Sequence, residues 1–280
     1  MGLGGYLAWT AVAREIVQSG KAKKLLPCEV HGGQYLKIVE SEIWKDNPYI
    51  TLDFQEYQSG QALPLQLNNP RTNYCKNDTP TRAFHRFDKH IIGQICEFYG
   101  LENPLLKCEL FFAETEHDNI NRIVSGLDKD FITIEPESKT NYTSNRVYPF
   151  DKWQQIVNSL SKKIQVVQIG REGSRILENT TNLLGCTSFR EAALLIGRSK
   201  MFLSSEGGLT HAATTTDTPA LVVLTGYQHE KMVAYPQNIN INISSHGPCG
   251  LKQPCPDCQQ DSNNHDCSEI VDIVKERLCL

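Results

Sequence analysis

Two kinds of apolar run alternate along the carboxyl-terminal half of the chain. Residues 131–134 and 164–169 are short runs rich in β-branched and aromatic side chains, as buried strands are, while residues 153–160 repeat apolar side chains at helical spacing. Ser188 and Glu191 form the capping box of another helix. Further strand-like runs follow at residues 201–203, 220–224 and 239–243. Alternating strands and helices build βαβ units, so this half is predicted to be a doubly wound α/β domain with a parallel sheet.

The amino-terminal half has a weaker pattern. Residues 8–19 have helical periodicity, and Ile91, Ile95 and Phe98 form the apolar stripe of a second helix. Residues 58–82 are rich in Asn, Pro and Gln and are predicted to be an irregular connection.

The length of the chain, 280 residues, allows two domains of ordinary size. A boundary is predicted near residues 125–130, which gives units of residues 1–127 and 128–280. The formal net charge of −4 and the absence of a basic cluster argue against nucleic acid or an anionic membrane as the main partner. No stretch has the length and apolarity of a membrane span and the amino terminus lacks a secretory pattern, so a cytoplasmic location is expected.

The segment that says most about chemistry is residues 202–213, where a strand runs into two glycines and then into a helix of small residues. Glycines let a phosphate approach the main chain, and a helix amino terminus offers it unpaired N–H groups, so this order suits a diphosphate. The same pattern also fits a glycine-rich turn that only reverses the chain. The central residues are Glu206, Gly207, Gly208, Leu209, Thr210 and His211.

This segment and its surroundings resemble glycosyltransferase family 9, the heptosyltransferase-like enzymes. Residues 204–216 followed by 218–226 look like the family's acidic-x-Gly-x-x-His, helix, Thr-Pro, strand, Gly signature. The resemblance implies a GT-B fold, in which two Rossmann-like, doubly wound domains face a central cleft and a carboxyl-terminal helix packs back across their junction. Further matches occur at residues 136–138, 146–153 and 185–196, and looser ones at residues 2–5 and 85–87.

The resemblance also implies a division of labour. Residues 1–127 would be the acceptor-side domain, expected to lack its first strand because the chain begins inside the opening loop that holds Gly4 and Gly5, and residues 128–280 would bind the sugar nucleotide. Arg146 would neutralise the diphosphate through its forked donors. Glu206 would accept hydrogen bonds from sugar hydroxyls. The residues expected near the phosphates or the nucleoside are Ser138, Lys139 and Glu172.

The function that the resemblance implies is inverting transfer of a heptosyl or hexosyl unit from a nucleotide-diphosphate sugar to a surface-polysaccharide or lipopolysaccharide-type acceptor, with no cofactor required. A glycan or glycolipid acceptor would allow peripheral membrane association. In the family a carboxylate deprotonates the acceptor, but its usual Asp position is Gly5 here. Two alternatives remain open, an inert GT-B-like binding or scaffold protein and a sugar-nucleotide epimerase or hydrolase on the same scaffold. Candidate replacements for the base are Glu137, Glu135 and His31.

Four cysteines fall together in residues 246–267, in a loop punctuated by Pro and Gly. Soft thiolates at such spacing suit a tetrahedral zinc or iron ion with a structural role, and His246 and His265 are spare ligands. Unligated thiols and disulfides are the alternatives. The four predicted ligands are Cys249, Cys255, Cys258 and Cys267.

Overall fold

The amino-terminal part of the chain builds a small sheet. The computed structural model describes residues 2–32, 34–68, 75–76, 79–82, 84–85, 87–138 and 142–280. The strands lie in the order β2-β1-β3, with β1 antiparallel to β2 and parallel to β3. Two shorter strands, β4 and β5, pair antiparallel. The bounds are β1 (Lys24–His31), β2 (Gln34–Ile38), β3 (Ala62–Gln66), β4 (Cys75–Lys76) and β5 (Phe84–His85).

Strand β3 corrects the prediction that residues 58–82 are an irregular connection. Ala62 and Leu65 are buried and Leu63 is exposed, so burial along β3 does not follow a simple alternation. Pro64 has no N–H to donate, but β3 is an edge strand of the three-stranded sheet, where a proline is tolerated. This short strand was therefore not recognised from the sequence, because it contains a proline and is flanked by polar residues.

The larger sheet confirms the predicted parallel α/β architecture. Its strands lie in the order β11-β10-β9-β6-β7-β8, and every neighbouring pair is parallel. The strand order reverses between β6 and β9, because the chain adds strands to one side of β6 and then returns to add the rest on the other side. The bounds are β6 (Phe131–Glu135), β7 (Gln165–Gln168), β8 (Thr181–Asn182), β9 (Phe202–Ser205), β10 (Ala220–Leu224) and β11 (Ile239–Asn242).

Helices and a short 3-10 helix, Glu42–Trp44, surround the three-stranded and six-stranded sheets. The Ser188–Glu191 capping box is confirmed, since the Ser188 hydroxyl accepts from the Glu191 N–H at 3.2 Å and the Glu191 carboxylate accepts from the Ser188 N–H at 2.8 Å. Across the described ranges the α-helices are α1 (Leu3–Gln18), α2 (Phe54–Gln58), α3 (Ile91–Phe98), α4 (Glu114–Val124), α5 (Phe150–Leu160), α6 (Phe189–Arg198), α7 (Gly208–Ala213), α8 (Glu230–Val233), α9 (Pro256–Asn264) and α10 (Ser268–Leu278).

Packing between the two halves is carried by α1 against α7 and by α4 against α6. Arg190 of α6 is only 2% exposed and forms a bidentate ion pair with Glu116 of α4, at 2.7 and 2.9 Å. Its guanidinium also donates to the Phe111 carbonyl at 2.5 Å. A buried cation fully satisfied in this way fixes the relative position of both helices.

The last helix does not cross the junction as expected. The buried face of α10, formed by Ile270, Val271 and Val274, packs with α5 and belongs to a core cluster drawn entirely from residue 132 onward. An apolar stripe predicts that a helix is covered but not by which neighbour. Within the described residues, none of the helices combines the length and apolarity needed to cross a bilayer.

Candidate functional site

Side chains from distant parts of the sequence converge where the strand order of the large sheet reverses. Glu135 ends β6 and Ser138 follows it, while Glu206 and Gly207 follow β9. The Ser138 hydroxyl donates to the Glu206 carbonyl oxygen at 3.4 Å, which joins positions 68 residues apart in sequence. Ligands of open α/β sheets bind at such reversal points, outside the carboxyl ends of the strands. The arrangement therefore marks this edge as the candidate binding site.

Arg146 brings a positive charge to this edge. Its Nη1 lies 3.9 Å from Oε1 of Glu206, which is an electrostatic contact rather than a hydrogen bond. Burial raises the pKa of Glu206, and the Arg146 guanidinium opposes that rise. The two side chains are mostly shielded from solvent, so their charges act at low effective dielectric constant.

Glu135 is the second carboxyl of the site. Its Oε2 is shielded from solvent and makes no hydrogen bond to any described residue. Burial raises the pKa of Glu135 to about 8, although Arg146 and the Ser204 hydroxyl lower it. A shielded carboxyl with a pKa close to neutrality has the properties of a general acid or base.

Gly207 leaves the space in which these groups meet. A Cβ at this position would lie 2.9 Å from Ser138 Cβ and 3.5 Å from Glu135 Oε2. Gly4, in the first turn of α1, makes a similar close approach, because its Cβ would lie 2.7 Å from Gly208 Cα and 3.1 Å from His211 Cδ2. The opening segment and the glycine-rich segment, both singled out from sequence, are thus in direct contact.

His211 is held by residues that the sequence did not indicate. Its Nδ1 lies 2.6 Å from the hydroxyl of Tyr235, and that hydroxyl lies 3.4 Å from the Cys108 thiol. Burial, together with the charge of Arg146, lowers the pKa of His211 to about 4, so the imidazole is neutral. Tyr235 lies 24 residues from His211 and carries no local motif, so only the fold reveals the contact.

The other predicted site residues lie in different surroundings. Glu137 is engaged by Arg175, whose Nε and backbone N–H donate to it at 2.7 and 3.0 Å. His31 lies at the exposed end of β1, with Nε2 3.9 Å from Glu29. Glu172 packs against Gly185, where a Cβ would lie 2.8 Å away. Lys139 lies outside the described residues.

Leu209 and Thr210 support the glycine-rich segment from within. Leu209 is buried in the core shared by both halves. The Thr210 hydroxyl donates to the Gly207 carbonyl at 2.7 Å and accepts from the Gly207 N–H at 3.4 Å, which stabilises the turn into α7. Gly5 lies in the first turn of α1, where its N–H donates to the Gly2 carbonyl at 2.9 Å.

A second cluster lies in the loop between β11 and α9 and in the first turn of α9. The ligand atoms of His246, Cys255 and Cys258 lie within 4.8 Å of one another, and Cys249 Sγ lies 3.4 Å from Cys258 Sγ. Ligands of a tetrahedral zinc ion with metal–sulfur bonds of about 2.3 Å are about 3.5–4 Å apart. His246, Cys255 and Cys258 therefore fit a zinc or iron ion in spacing and in chemistry, and Cys249 lies beside them as a further thiol.

Asp261 orients the histidine of this cluster. Its Oδ2 lies 2.8 Å from His246 Nδ1, which leaves Nε2 facing Cys258 at 3.4 Å. Carboxylate–imidazole pairs of this kind are the usual outer support of metal-binding histidines. The linked Cys258, His246 and Asp261 also have the connectivity of a thiol-nucleophile triad, but Cys258 is only 2% exposed and two further thiols surround it, which favours a metal.

Cys267 is not part of this cluster, which corrects the predicted ligand set. It precedes α10, and its Sγ lies 3.4 Å from Oε1 of Gln155 on α5. His246 lies with Cys255 and Cys258 in the cluster instead. Spacing along the chain could not decide between them, because the chain from Cys258 onward runs through α9 and carries Cys267 away.

Comparison with known protein families gives a match. The sequence profile of glycosyltransferase family 9 (heptosyltransferase) matches residues 92–260, more than half of the chain, which confirms the resemblance carried by residues 204–226. No curated protein sequence matches significantly.

Solved structures are similar over most of the fold. ADP-heptose LPS heptosyltransferase II of E. coli superposes with a TM-score of 0.52 at 16% identity, over 68% of this chain and 62% of its own, so the chain spans less than two thirds of that enzyme. A family 9 glycosyl transferase of Veillonella parvula gives 0.63 at 10% identity, over 100% of this chain and 95% of its own.

The dodecameric, iron-containing heptosyltransferase TibC of enterotoxigenic E. coli, solved with ADP-D-β-D-heptose, gives a TM-score of 0.60 at 15% identity, over 99% of this chain and 74% of its own. At these identities the likeness establishes the fold, which is the mixed α/β, GT-B-like fold of these glycosyltransferases.

Proposed function

Because the chain belongs to glycosyltransferase family 9, we propose that it transfers a heptosyl or hexosyl unit, with inversion, from a nucleotide-diphosphate sugar to a surface-polysaccharide or lipopolysaccharide-type acceptor. The observation that carries the proposal is the convergence of Arg146, Glu206 and Glu135 at the reversal point of the large sheet. Such a transfer needs a cation to balance the charge of the diphosphate. It also needs one carboxyl group to bind the sugar and another to deprotonate the acceptor.

The diphosphate would be held by Arg146. A guanidinium presents planar, forked donors to phosphate oxygens, and a partly shielded site strengthens the interaction. Helix α7 has only six residues, so the charge of the leaving group must be met mainly by side chains. His211 adds one neutral donor, because a Tyr235 hydroxyl that donates to Nδ1 leaves the proton on Nε2.

The sugar would be recognised by Glu206, whose carboxylate can accept from two neighbouring hydroxyls. Ser138 lies beside it and is proposed to contact the phosphates, as is Lys139. Glu172 is proposed to lie near the nucleoside. Gly207 and Gly208 are proposed to contact the donor through their main chain. Their lack of a Cβ lets Ser138 and Gly4 approach that main chain closely. Residues 128–280 would thus form the donor domain and residues 1–127 the acceptor domain.

Glu135 is proposed as the base. The acceptor O–H proton would pass to Glu135 as the acceptor oxygen bonds to the anomeric carbon and the bond to the diphosphate breaks, with Arg146 balancing the charge of the departing nucleotide. Glu135 is favoured over Glu137, whose carboxylate is occupied by Arg175, and over His31, which lies exposed on the small sheet. No cofactor is proposed for the transfer.

The cluster formed by His246, Cys249, Cys255 and Cys258 is proposed to hold a structural zinc or iron ion. A bound metal would cross-link the loop between β11 and α9 and so stabilise the fold by its binding free energy. The thiol of Cys258 beside it lowers the pKa of Cys249 to about 6, which supplies one thiolate readily.

One observation favours a second candidate function. Gly5 stands where the family's carboxylate base is expected, so binding of a nucleotide sugar without transfer, as in a scaffold protein, is the alternative. The transferase is proposed to act in the cytoplasm on a glycan or glycolipid acceptor.

A thermal-shift screen against ADP-, GDP-, UDP- and CMP-linked sugars tests the donor site, because a ligand that binds only the folded state raises its melting temperature. We expect one nucleotide series to stabilise the wild type and the control Arg277→Ala, whose residue is exposed on α10, but not Arg146→Ala or Glu206→Ala. Stabilisation of all four proteins alike, or of none, would refute the donor site.

A further inference from the structure

Asn145 is buried, with 4% of its surface exposed. The nitrogen and the oxygen of its side-chain amide both hydrogen-bond to the loop of residues 246–258, the cysteine loop. Its Nδ2 donates to the carbonyl oxygens of Leu251 and Gln253 at 2.6 and 2.7 Å. Its Oδ1 accepts from the Cys255 N–H at 2.8 Å. One side chain therefore holds the loop that carries Cys249 and Cys255 at three points.

The main chain of Asn145 is fixed from the opposite side. The Thr225 hydroxyl, at the end of β10, donates to the Asn145 carbonyl oxygen at 2.6 Å. Thr143 adds a parallel tie, because its hydroxyl donates to the Leu251 carbonyl at 3.0 Å and accepts from the Asn145 N–H at 3.2 Å. The segment is thus held between the large sheet and the cysteine loop.

The next residue in the chain is Arg146, whose guanidinium reaches Glu206. On its α9 side this segment borders a cavity of about 230 Å³, lined among others by Asn145, Val147 and Ser262. Beside this cavity, the hydrogen bonds of Asn145 and Thr143 tie the segment to the cysteine loop. A shift of the cysteine loop would be passed directly to the residue before Arg146.

We propose that Asn145 is a positioning residue that couples the cysteine loop to Arg146, so that metal ligation by His246, Cys249, Cys255 and Cys258 strengthens binding of a nucleoside diphosphate. The inference rests on the proposed function for the role of Arg146. Ligation would order the loop, the ordered loop would seat Asn145, and the seated segment would hold the guanidinium before the ligand arrives. Without the ion, the segment would become ordered only when the ligand binds, and the free energy needed for that ordering would weaken the binding.

The test is a calorimetric titration of ADP, GDP and UDP into metal-loaded and chelator-treated protein. For the nucleoside diphosphate that binds, we expect metal removal to weaken wild-type affinity by about tenfold, a typical coupling factor. Asn145→Ala and Asn145→Asp should bind weakly whether loaded or not, so their ratio is close to one. Asn145→Asp keeps the acceptor for Cys255 and loses both donors. Ser144→Ala, at the exposed neighbouring position, should behave as wild type.

Metal content and folding are measured on the same samples, and hydrogen–deuterium exchange of residues 142–148 gives a readout independent of nucleotide. We expect these amides to lose protection when metal is removed from the wild type and to lack it already in metal-loaded Asn145→Asp. Equal affinity with and without metal in the wild type, or the same tenfold ratio in both Asn145 variants, would overturn the coupling. If no nucleoside diphosphate binds the wild type, the donor site fails, and the exchange result alone supports or overturns the link from loop to segment.

Discussion

Gly4 of α1 packs against Gly208 of α7 so closely that only glycine fits at position 4, since a Cβ there would lie 2.7 Å from Gly208 Cα. The contact joins the first helix of the chain to the helix that follows Glu206. Neither backbone can yield without moving its helix, so the glycine-rich segment is positioned by the amino-terminal half as well as by its own strand.

Gly4→Ala therefore should destabilise the protein, by about 1–3 kcal/mol as overpacking does, although alanine favours helix. Nucleoside-diphosphate affinity should fall with it, because α7 is displaced. The matched control is Gly93→Ala in α3, where a Cβ meets only Lys89 at 3.6 Å. Urea unfolding and a nucleotide titration of both variants check this; equal stability of the two would show that the Gly4 contact is unimportant.

The pKa of Glu135, raised to about 8 by burial, sets the pH dependence of transfer. A base must be deprotonated to act, so kcat/KM should rise about tenfold per pH unit up to roughly pH 8 and then level off. Glu135→Gln should lose about 10²–10⁴ of kcat. Glu137→Gln, which alters the carboxylate held by Arg175, should keep the wild-type profile. A rising limb that persists in Glu135→Gln would exclude Glu135 as the base.

The raised pKa of Glu135 also makes the stability of the fold depend on pH. Stability should fall as pH rises, whereas kcat/KM should increase. Between about pH 4.5 and 8 the folded protein keeps a proton on Glu135 that the unfolded chain has released, so this group makes stability fall as pH rises through that window. Glu135→Gln should flatten this decline. Denaturation at pH 5.5, 6.5 and 7.5 measures it, and identical slopes for both proteins would contradict the shift.

Tyr235→Phe tests the support of His211. Removing the hydroxyl leaves His211 Nδ1 without its partner at 2.6 Å, so the Nε2–H tautomer should no longer dominate and nucleoside-diphosphate affinity should fall several-fold. Tautomer-sensitive ¹⁵N NMR of the imidazole reads the first effect directly. Tyr49→Phe, whose ring packs edge-on against Phe111, is the control. An unchanged His211 spectrum in Tyr235→Phe would remove Tyr235 from the site.

Cys255→Ser and Cys267→Ser are chemically the same substitution, but only the first should affect metal binding. Cys255→Ser should lose the bound ion and melt at a lower temperature, because binding free energy is folding free energy. Cys267→Ser should keep about one ion per chain and the wild-type melting temperature, since Cys267 contacts Gln155 instead. Elemental analysis and thermal melts with and without chelator decide it. Equal loss of metal in both variants would restore Cys267 to the ligand set.

Local signals in the sequence predict five of the six described strands of the large sheet, all except β8. They succeed because strand runs, the Ser188 cap and the Glu206–His211 segment depend on neighbouring residues. The predictions that fail depend on tertiary contacts. The choice of His246 over Cys267 depends on where α9 carries the chain, and Tyr235 reaches His211 only through the fold. The hydrophobic periodicity likewise did not show that α10 packs against α5, or that the residues around Pro64 form β3.

The most direct test of the donor site is a calorimetric comparison of Arg146→Ala and Glu206→Gln, each titrated with a nucleoside diphosphate and with the corresponding nucleotide sugar. If Arg146 holds the diphosphate and Glu206 the sugar, Arg146→Ala should weaken both ligands by about tenfold or more, and Glu206→Gln should weaken only the nucleotide sugar. Wild-type affinity of both variants for both ligands would contradict a donor site at Arg146 and Glu206.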